Sequence, residues 1–100
     1  MGDGDEFLHP LIPITTADTF PVAGLEWWEI ENPDSNTTSI FLNEAAAATT
    51  TATQSTEVAP GRTKHFFFNA RKTPVVSMIA ATSATRVNLR KRAFRHRASL

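Results

Sequence analysis

Turn-forming residues divide this chain of 100 residues into short segments that leave little room for long helices. The clearest turns are Asn32-Pro33-Asp34-Ser35-Asn36 and Ala59-Pro60-Gly61-Arg62, where proline presets φ and Gly61 supplies the positive φ of a type II turn. The segments between turns are rich in β-branched and aromatic residues, which favour strands. The sequence therefore predicts an all-β fold, a small antiparallel β-sandwich or barrel.

The strands are predicted from the spacing of their apolar residues. Leu25 to Glu31 and Thr38 to Asn43 flank the first turn, which predicts a hairpin. A short strand is expected near residues 55–58, and residues 75–81 are apolar on both faces, as in a central strand. Residues 85–90 alternate between apolar and polar positions. The expected core consists of Phe66, Phe68, Val75, Ile79, Val87 and Leu89.

Two adjacent tryptophans, Trp27 and Trp28, lie in the first of these strands. Because neighbouring strand residues point to opposite faces, one tryptophan is expected in the core and the other outside it. An exposed tryptophan suits a protein interface or a sugar platform. In the alternative, an N-terminal arm covers the second tryptophan.

The chain is predicted to have three regions: an acidic, proline-containing arm (1–24), a sandwich domain (25–90) with an Ala/Thr-rich loop (44–54), and a basic tail (91–100). Pro10 and Pro13 keep the arm extended, at best as an edge strand. Such an arm packs on its own domain or on a neighbouring subunit. The predicted subunit interface consists of Leu8, Leu11, Ile12, Ile14, Trp27 and Trp28.

All ten acidic residues, from Asp3 to Glu57, precede all ten basic residues, from Arg62 to Arg97. The formal net charge of +0 is thus the sum of two strongly charged halves. Such asymmetry indicates charged partners rather than chemistry. A chain with a negative and a positive end can assemble head to tail into rings or filaments. In the alternative, the two halves face each other within one sandwich.

The basic tail has three possible roles. It can bind nucleic acid, because guanidinium groups suit phosphates and Phe94 can stack on a base. It can instead pair with an acidic protein surface, or it can be a solvated terminus. The predicted partner or nucleic-acid contacts are Arg90, Lys91, Arg92, Phe94, Arg95 and Arg97.

Catalysis has no support in the sequence. Cysteine is absent, and His9, His65 and His96 lack the spacing of metal ligands. There is no P-loop, dinucleotide fingerprint or nucleophile elbow. We therefore predict a protein that is not an enzyme, with no catalytic, cofactor-binding or metal residues and no cofactor. The acidic start is not expected to act as a signal peptide, and no apolar run approaches the roughly 20 residues of a membrane span.

Several stretches together resemble small β-sandwich structural proteins of tailed-phage virions, of the head-decoration or tail accessory type. They are Ile30-Glu31-Asn32, 38–43, Val58-Ala59-Pro60-Gly61, 75–82 and 84–89. The resemblance implies a structural subunit of a multimeric assembly: a capsid decoration, minor capsid or tail accessory protein. Its partners would be other copies of itself, a capsid protein or a tail protein, and it would reside in the virion after assembly in the host cytoplasm. The alternative function is nucleic-acid binding through the basic tail.

Overall fold

A computed structural model describes residues 5–44, 48 and 55–93, and the regular structure in these residues is all β-strand. All the strand pairings are antiparallel. The predicted all-β, antiparallel fold is therefore confirmed. The strands are Asp5–Leu8 (β1), Leu11–Ile12 (β2), Asp18–Pro21 (β3), Leu25–Asn32 (β4), Ile40–Asn43 (β5), Thr56–Val58 (β6), Arg62–Asn69 (β7), Val75–Ala80 (β8), Thr85–Arg86 (β9) and Asn88–Ala93 (β10).

The strands form two four-stranded sheets and a two-stranded ribbon. The first sheet has the order β1-β10-β4-β7, the second has the order β3-β8-β5-β6, and β2 pairs with β9 in the ribbon. The strands do not close into a barrel, and the arrangement is that of a sandwich. One core lies between the two four-stranded sheets, and its fully buried members include Trp28, Ile30, Phe68, Leu89, Ile40, Leu42, Val76 and Met78.

The predicted hairpin between residues 25–31 and 38–43 is wrong. The turn itself forms, since the Asn36 N–H donates to the Pro33 carbonyl over 3.0 Å. However, β4 pairs with β10 and β7, whereas β5 pairs with β6 and β8. The turn therefore carries the chain from one sheet to the other. This crossing lets Ile30 of β4 and Ile40 of β5 both bury their side chains in the shared core.

The N-terminal arm packs on its own domain. Its strands β1, β2 and β3 pair with β10, β9 and β8. Ile12 is fully buried in the core. At the other end of the chain, residues 91–93 belong to β10, which lies between β1 and β4. Residues 5–21 and 91–93 are thus parts of the same sandwich as residues 25–90.

Most of the predicted core is found inside the sandwich. Phe68, Val87 and Leu89 are buried there, and Phe66 is partly buried against them. Val75 was expected in the core, but it is 45% exposed. It opens β8 opposite Pro21, and the pairing of β8 with β5 begins only at Ser77, so β5 has no residue opposite Val75.

A second, smaller apolar cluster, separate from the main core, involves β5 and β8. Ile79 and Phe41 are buried there together with Ala48. The Ala48 N–H donates to the Ser77 hydroxyl over 2.9 Å, which fixes this point of the long connection. The rest of the predicted Ala/Thr-rich loop, apart from Glu44, lies outside the described residues. The strand expected near residues 55–58 is confirmed as β6.

Candidate interaction face on the first sheet

The first sheet interleaves the acidic and basic halves of the chain. Strands from the N-terminal half, β1 and β4, alternate with strands from the C-terminal half, β10 and β7. The sign of the charged residues therefore alternates from strand to strand. The acidic members are Asp5 and Glu6 on β1 and Glu26, Glu29 and Glu31 on β4; the basic members are Arg90, Lys91 and Arg92 on β10 and Arg62 and Lys64 on β7.

Contacts between these strands follow the pairing register. Arg90 is the register partner of Glu29, and its Nη1 lies 3.8 Å from Glu29 Oε1. His65 Nε2 is 3.8 Å from the same oxygen on the other side. Asn88 Nδ2 donates to Glu31 Oε1 over 3.0 Å. The Arg90 and Glu29 side chains are more than a third exposed, so this pair contributes less than about 1 kcal/mol to stability.

Alternate residues of these strands point away from the core and form what we call the outer face. On β4, Trp28 and Ile30 are fully buried, whereas Trp27 is 48% exposed. The prediction that one tryptophan is core and the other exposed is therefore confirmed. The outer face consists of Phe7 on β1, Arg90 and Arg92 on β10, Leu25, Trp27, Glu29 and Glu31 on β4, and His65 and Phe67 on β7.

Aromatic side chains on the outer face are exposed to an unusual degree. Trp27 packs on Phe67 with ring centroids 5.0 Å apart, yet both are 48% exposed. Phe7 is 63% exposed, and the Arg90 guanidinium lies 5.8 Å from its ring centroid. Exposed apolar surface on one side of a small domain is a candidate interaction site. Tryptophan and arginine are also the residue types that most often dominate the binding energy of interfaces.

Two shallow hollows lie between these side chains. The first is lined by Trp27, Glu29, His65 and Arg92 among others and has a volume of about 280 Å³. The second, of about 250 Å³, lies between Phe7 and Glu31. Both fall below the roughly 300–1,000 Å³ of typical small-molecule sites. Their size suits single side chains from a protein partner.

Lys91 points to the opposite side of the sheet. Its Nζ donates to the Pro21 carbonyl over 3.1 Å and lies 4.8 Å from the centroid of the Trp28 ring. Glu6 Oε1 is 3.9 Å away, and the lysine side chain is only 9% exposed. The Trp28 Nε1–H donates to buried Glu26 over 2.8 Å. Lys91 and Glu26 therefore belong to the interior and are unavailable to a partner.

The structure separates the predicted interface residues into two groups. Ile12 and Trp28 are fully buried in the protein's own core and Leu8 is partly buried, because β1, β2 and β4 all contribute to that core. Leu11, Ile14 and Trp27 are exposed, at 50%, 43% and 48%. Of these, only Trp27 lies on the outer face.

The predicted tail contacts are also divided. Arg90, Lys91 and Arg92 lie on β10 inside the first sheet, whereas Phe94, Arg95 and Arg97 lie outside the described residues. The outer face adds Phe7 and Phe67, which the sequence did not single out as site residues. For Phe67 the signal was present, because it alternates with the core residues Phe66 and Phe68.

Within residues 5–44, 48 and 55–93, no group of three His, Asp or Glu side chains is arranged to hold a metal ion. The described part of the chain also has no helix that is long and apolar enough to cross a membrane. Comparisons with protein-family models, with curated proteins and with solved structures found no match.

Proposed function

We propose that this chain is a structural subunit of a multimeric assembly and that it contacts a neighbouring protein subunit through the outer face. The observation that carries the proposal is the exposure of Phe7, Trp27 and Phe67 on one side of one sheet. The sequence resemblance extends the proposal to a phage virion protein, with a role in capsid decoration, the minor capsid or the tail. In this proposal the site binds a protein and performs no catalysis.

The exposed aromatic residues supply a moderate driving force. Full burial of one large apolar side chain is worth about 1.5–3 kcal/mol, and these three are roughly half exposed, which leaves about 3 kcal/mol of gross gain. Association costs at least about 4 kcal/mol in lost translational and rotational freedom. One such contact is therefore weak, and a stable complex requires many copies that make the contact at the same time. This matches a subunit of an assembly better than a tight binary binder.

Nucleic-acid binding has less support because of the charges around β10. A phosphate near Arg90 would also approach the carboxylate of Glu29, which lies 3.8 Å from the guanidinium. Lys91 is buried. This alternative therefore depends on Arg92 and on residues 94–97 of the predicted tail. It remains the second candidate and is an outcome of the test below.

The double substitution Trp27→Ser/Phe67→Ser tests the outer face. Each side chain at the centre of an interface typically contributes more than about 1 kcal/mol, so we expect self-association to weaken by about 30-fold or more. Sedimentation velocity from about 1 µM to about 1 mM covers the relevant affinities. The matched control is Val75→Ser, which removes a similarly exposed apolar side chain from the second sheet and should leave association unchanged. Association of the double variant at the wild-type level would contradict the proposal.

A titration with DNA oligonucleotides tests the alternative. The proposal predicts that deletion of residues 94–100 leaves assembly unchanged and that the chain does not bind DNA. If about five tail charges met phosphates, the logarithm of the binding constant would fall with the logarithm of the salt concentration with a slope of about −3.5 to −4.5. Such a slope, lost on deletion of the tail, would favour nucleic-acid binding over the structural role.

A further inference from the structure

Strand β7 forms one edge of the first sheet and is eight residues long. Among the described residues, no strand pairs along its other side. Residues 62–65 of this strand are all exposed. A long strand with an open side presents backbone donors and acceptors to which another strand can pair.

The hydrogen-bonding pattern between β7 and β4 shows which backbone groups in the first half of β7 point away from β4. The Ala70 N–H donates to the Gly24 carbonyl over 2.8 Å, next to the register pair of Asn69 and Leu25. In an antiparallel ladder, residues alternate between facing the partner strand and facing away from it. The N–H and carbonyl groups of Thr63 and His65 therefore point away from β4, toward the edge of the sheet.

The opposite edge of the same sheet is β1, and it has the opposite charge. It carries Asp5 and Glu6, and the Glu6 side chain is 63% exposed. The β7 edge carries Arg62 and Lys64, both exposed. The alternation of acidic and basic strands across the sheet thus begins with an acidic edge and ends with a basic one.

We propose that β7 of one copy pairs with β1 of a second copy, so that the first sheet continues from subunit to subunit. The directions of the strands permit this. Three successive antiparallel pairings lead from β1 through β10 and β4 to β7. The strands β1 and β7 therefore run in opposite directions. A second copy placed alongside presents its β1 antiparallel to β7 with the outer face on the same side. This inference rests on the proposed function, because it assumes that the chain self-assembles, and it specifies which strands of two copies pair.

Charge selects this pairing over the two symmetric ones. Pairing β7 with β7 would bring Arg62 and Lys64 of two copies together, and pairing β1 with β1 would do the same for the acidic residues. Like charges opposite each other destabilise strand pairing and suppress wrong partners. Only the β7–β1 pairing continues the alternation. Such a head-to-tail contact generates rings or filaments.

One register fits the faces of both strands. Glu6 pairs with Lys91 and Lys64 pairs with Ile30, and both are inward positions of the sheet. Placing Glu6 opposite Lys64 keeps the two side chains on one side and brings Asp5 opposite His65 and Phe7 opposite Thr63. An exposed ion pair changes affinity by at most about fivefold, so this contact is weak and salt-sensitive.

Charge reversal in two separate variants tests the pairing. Lys64→Glu and Glu6→Lys should each weaken self-association by about tenfold, because every junction then places like charges opposite each other. An equimolar mixture should recover wild-type association when the two variants alternate. One junction then joins the two substituted side chains, which have opposite charges, and the next joins the unchanged Lys64 and Glu6.

Sedimentation velocity at low salt measures the two variants and their mixture. The matched controls are Lys72→Glu and Asp18→Lys, which reverse exposed charges that lie off the two edges. Both controls should associate like the wild type.

A backbone variant provides an independent readout. Thr63→Pro removes an N–H that points away from β4, and proline is tolerated at such edge positions. It should weaken association by about tenfold while the secondary structure by circular dichroism stays unchanged. This variant leaves Lys91 and its neighbours untouched, so it remains informative if Glu6→Lys disturbs the fold.

The outcomes separate this inference from the proposed function. Wild-type association of the single charge variants and of Thr63→Pro, or a mixture that fails to recover, would overturn the strand pairing. If Trp27→Ser/Phe67→Ser still abolished assembly in that case, the structural role through the outer face would stand. A wild-type chain that stays monomeric at low salt up to about 1 mM would overturn the strand pairing directly.

Discussion

Replacing Trp28 with alanine is expected to lower the free energy of unfolding by about 3–5 kcal/mol. Trp28 is fully buried and packs edge-on against Phe68 with ring centroids 5.1 Å apart. Its indole also donates to buried Glu26 and lies beneath the Lys91 ammonium. The substitution would leave a cavity and remove a donor from a buried carboxylate. Since small domains have only about 5–15 kcal/mol of stability, this loss is a large fraction of the total.

The matched control for this substitution is Trp27→Ala. It removes the same side chain from the neighbouring position of β4, but that side chain is 48% exposed and packs mainly on Phe67. We expect a loss of about 1 kcal/mol or less. Urea unfolding followed by far-UV circular dichroism measures both variants without depending on tryptophan fluorescence. Equal losses for the two substitutions would contradict the assignment of opposite faces.

Replacing Asn32 with leucine is expected to lower the free energy of unfolding by about 2–5 kcal/mol, because two buried carbonyl groups lose their donor. Asn32 ends β4 and is fully buried. Its Nδ2 donates to the carbonyls of Thr38 and Val58, each over 2.9 Å, and its Oδ1 accepts from Asn36. These bonds hold the crossing between the two sheets. Leucine has a similar volume but no polar atom.

Asn88→Leu is the matched control for this second substitution. Asn88 also makes two side-chain hydrogen bonds, to His9 and Glu31, but both are exposed to water. Water can replace them, so we expect a loss below about 1 kcal/mol. The shift in the urea midpoint at constant slope reports both values. A loss for Asn32→Leu as small as that for Asn88→Leu would show that the buried amide does not anchor the crossing.

Local pattern predicted the strands of this protein better than their partners. Alternation placed Trp27 and Trp28 on opposite faces, and it placed Val87 and Leu89 inside. It did not reveal that β4 and β5 belong to different sheets. A turn between two strands looks the same whether the strands pair or separate, and the bond from Asn32 to Val58 that holds the crossing spans 26 residues.

The candidate site was predictable to a lesser extent. The exposure of Phe67 follows from its alternation with Phe66 and Phe68, but the exposure of Phe7 depends on the pairing of β1 with β10 at the other end of the chain. The charge segregation was plain in the sequence. Its interleaving within one sheet was not, since it requires the long-range strand order.

The central claim is that this chain is a subunit that assembles through one face and the edges of its first sheet. The most direct measurement is the solution mass of the wild-type chain by light scattering, over a range of concentrations at low and high salt. The account predicts a mass above the 11.0 kDa of the monomer that rises with concentration at low salt and falls toward the monomer at high salt. A mass of 11.0 kDa under all these conditions would contradict self-assembly.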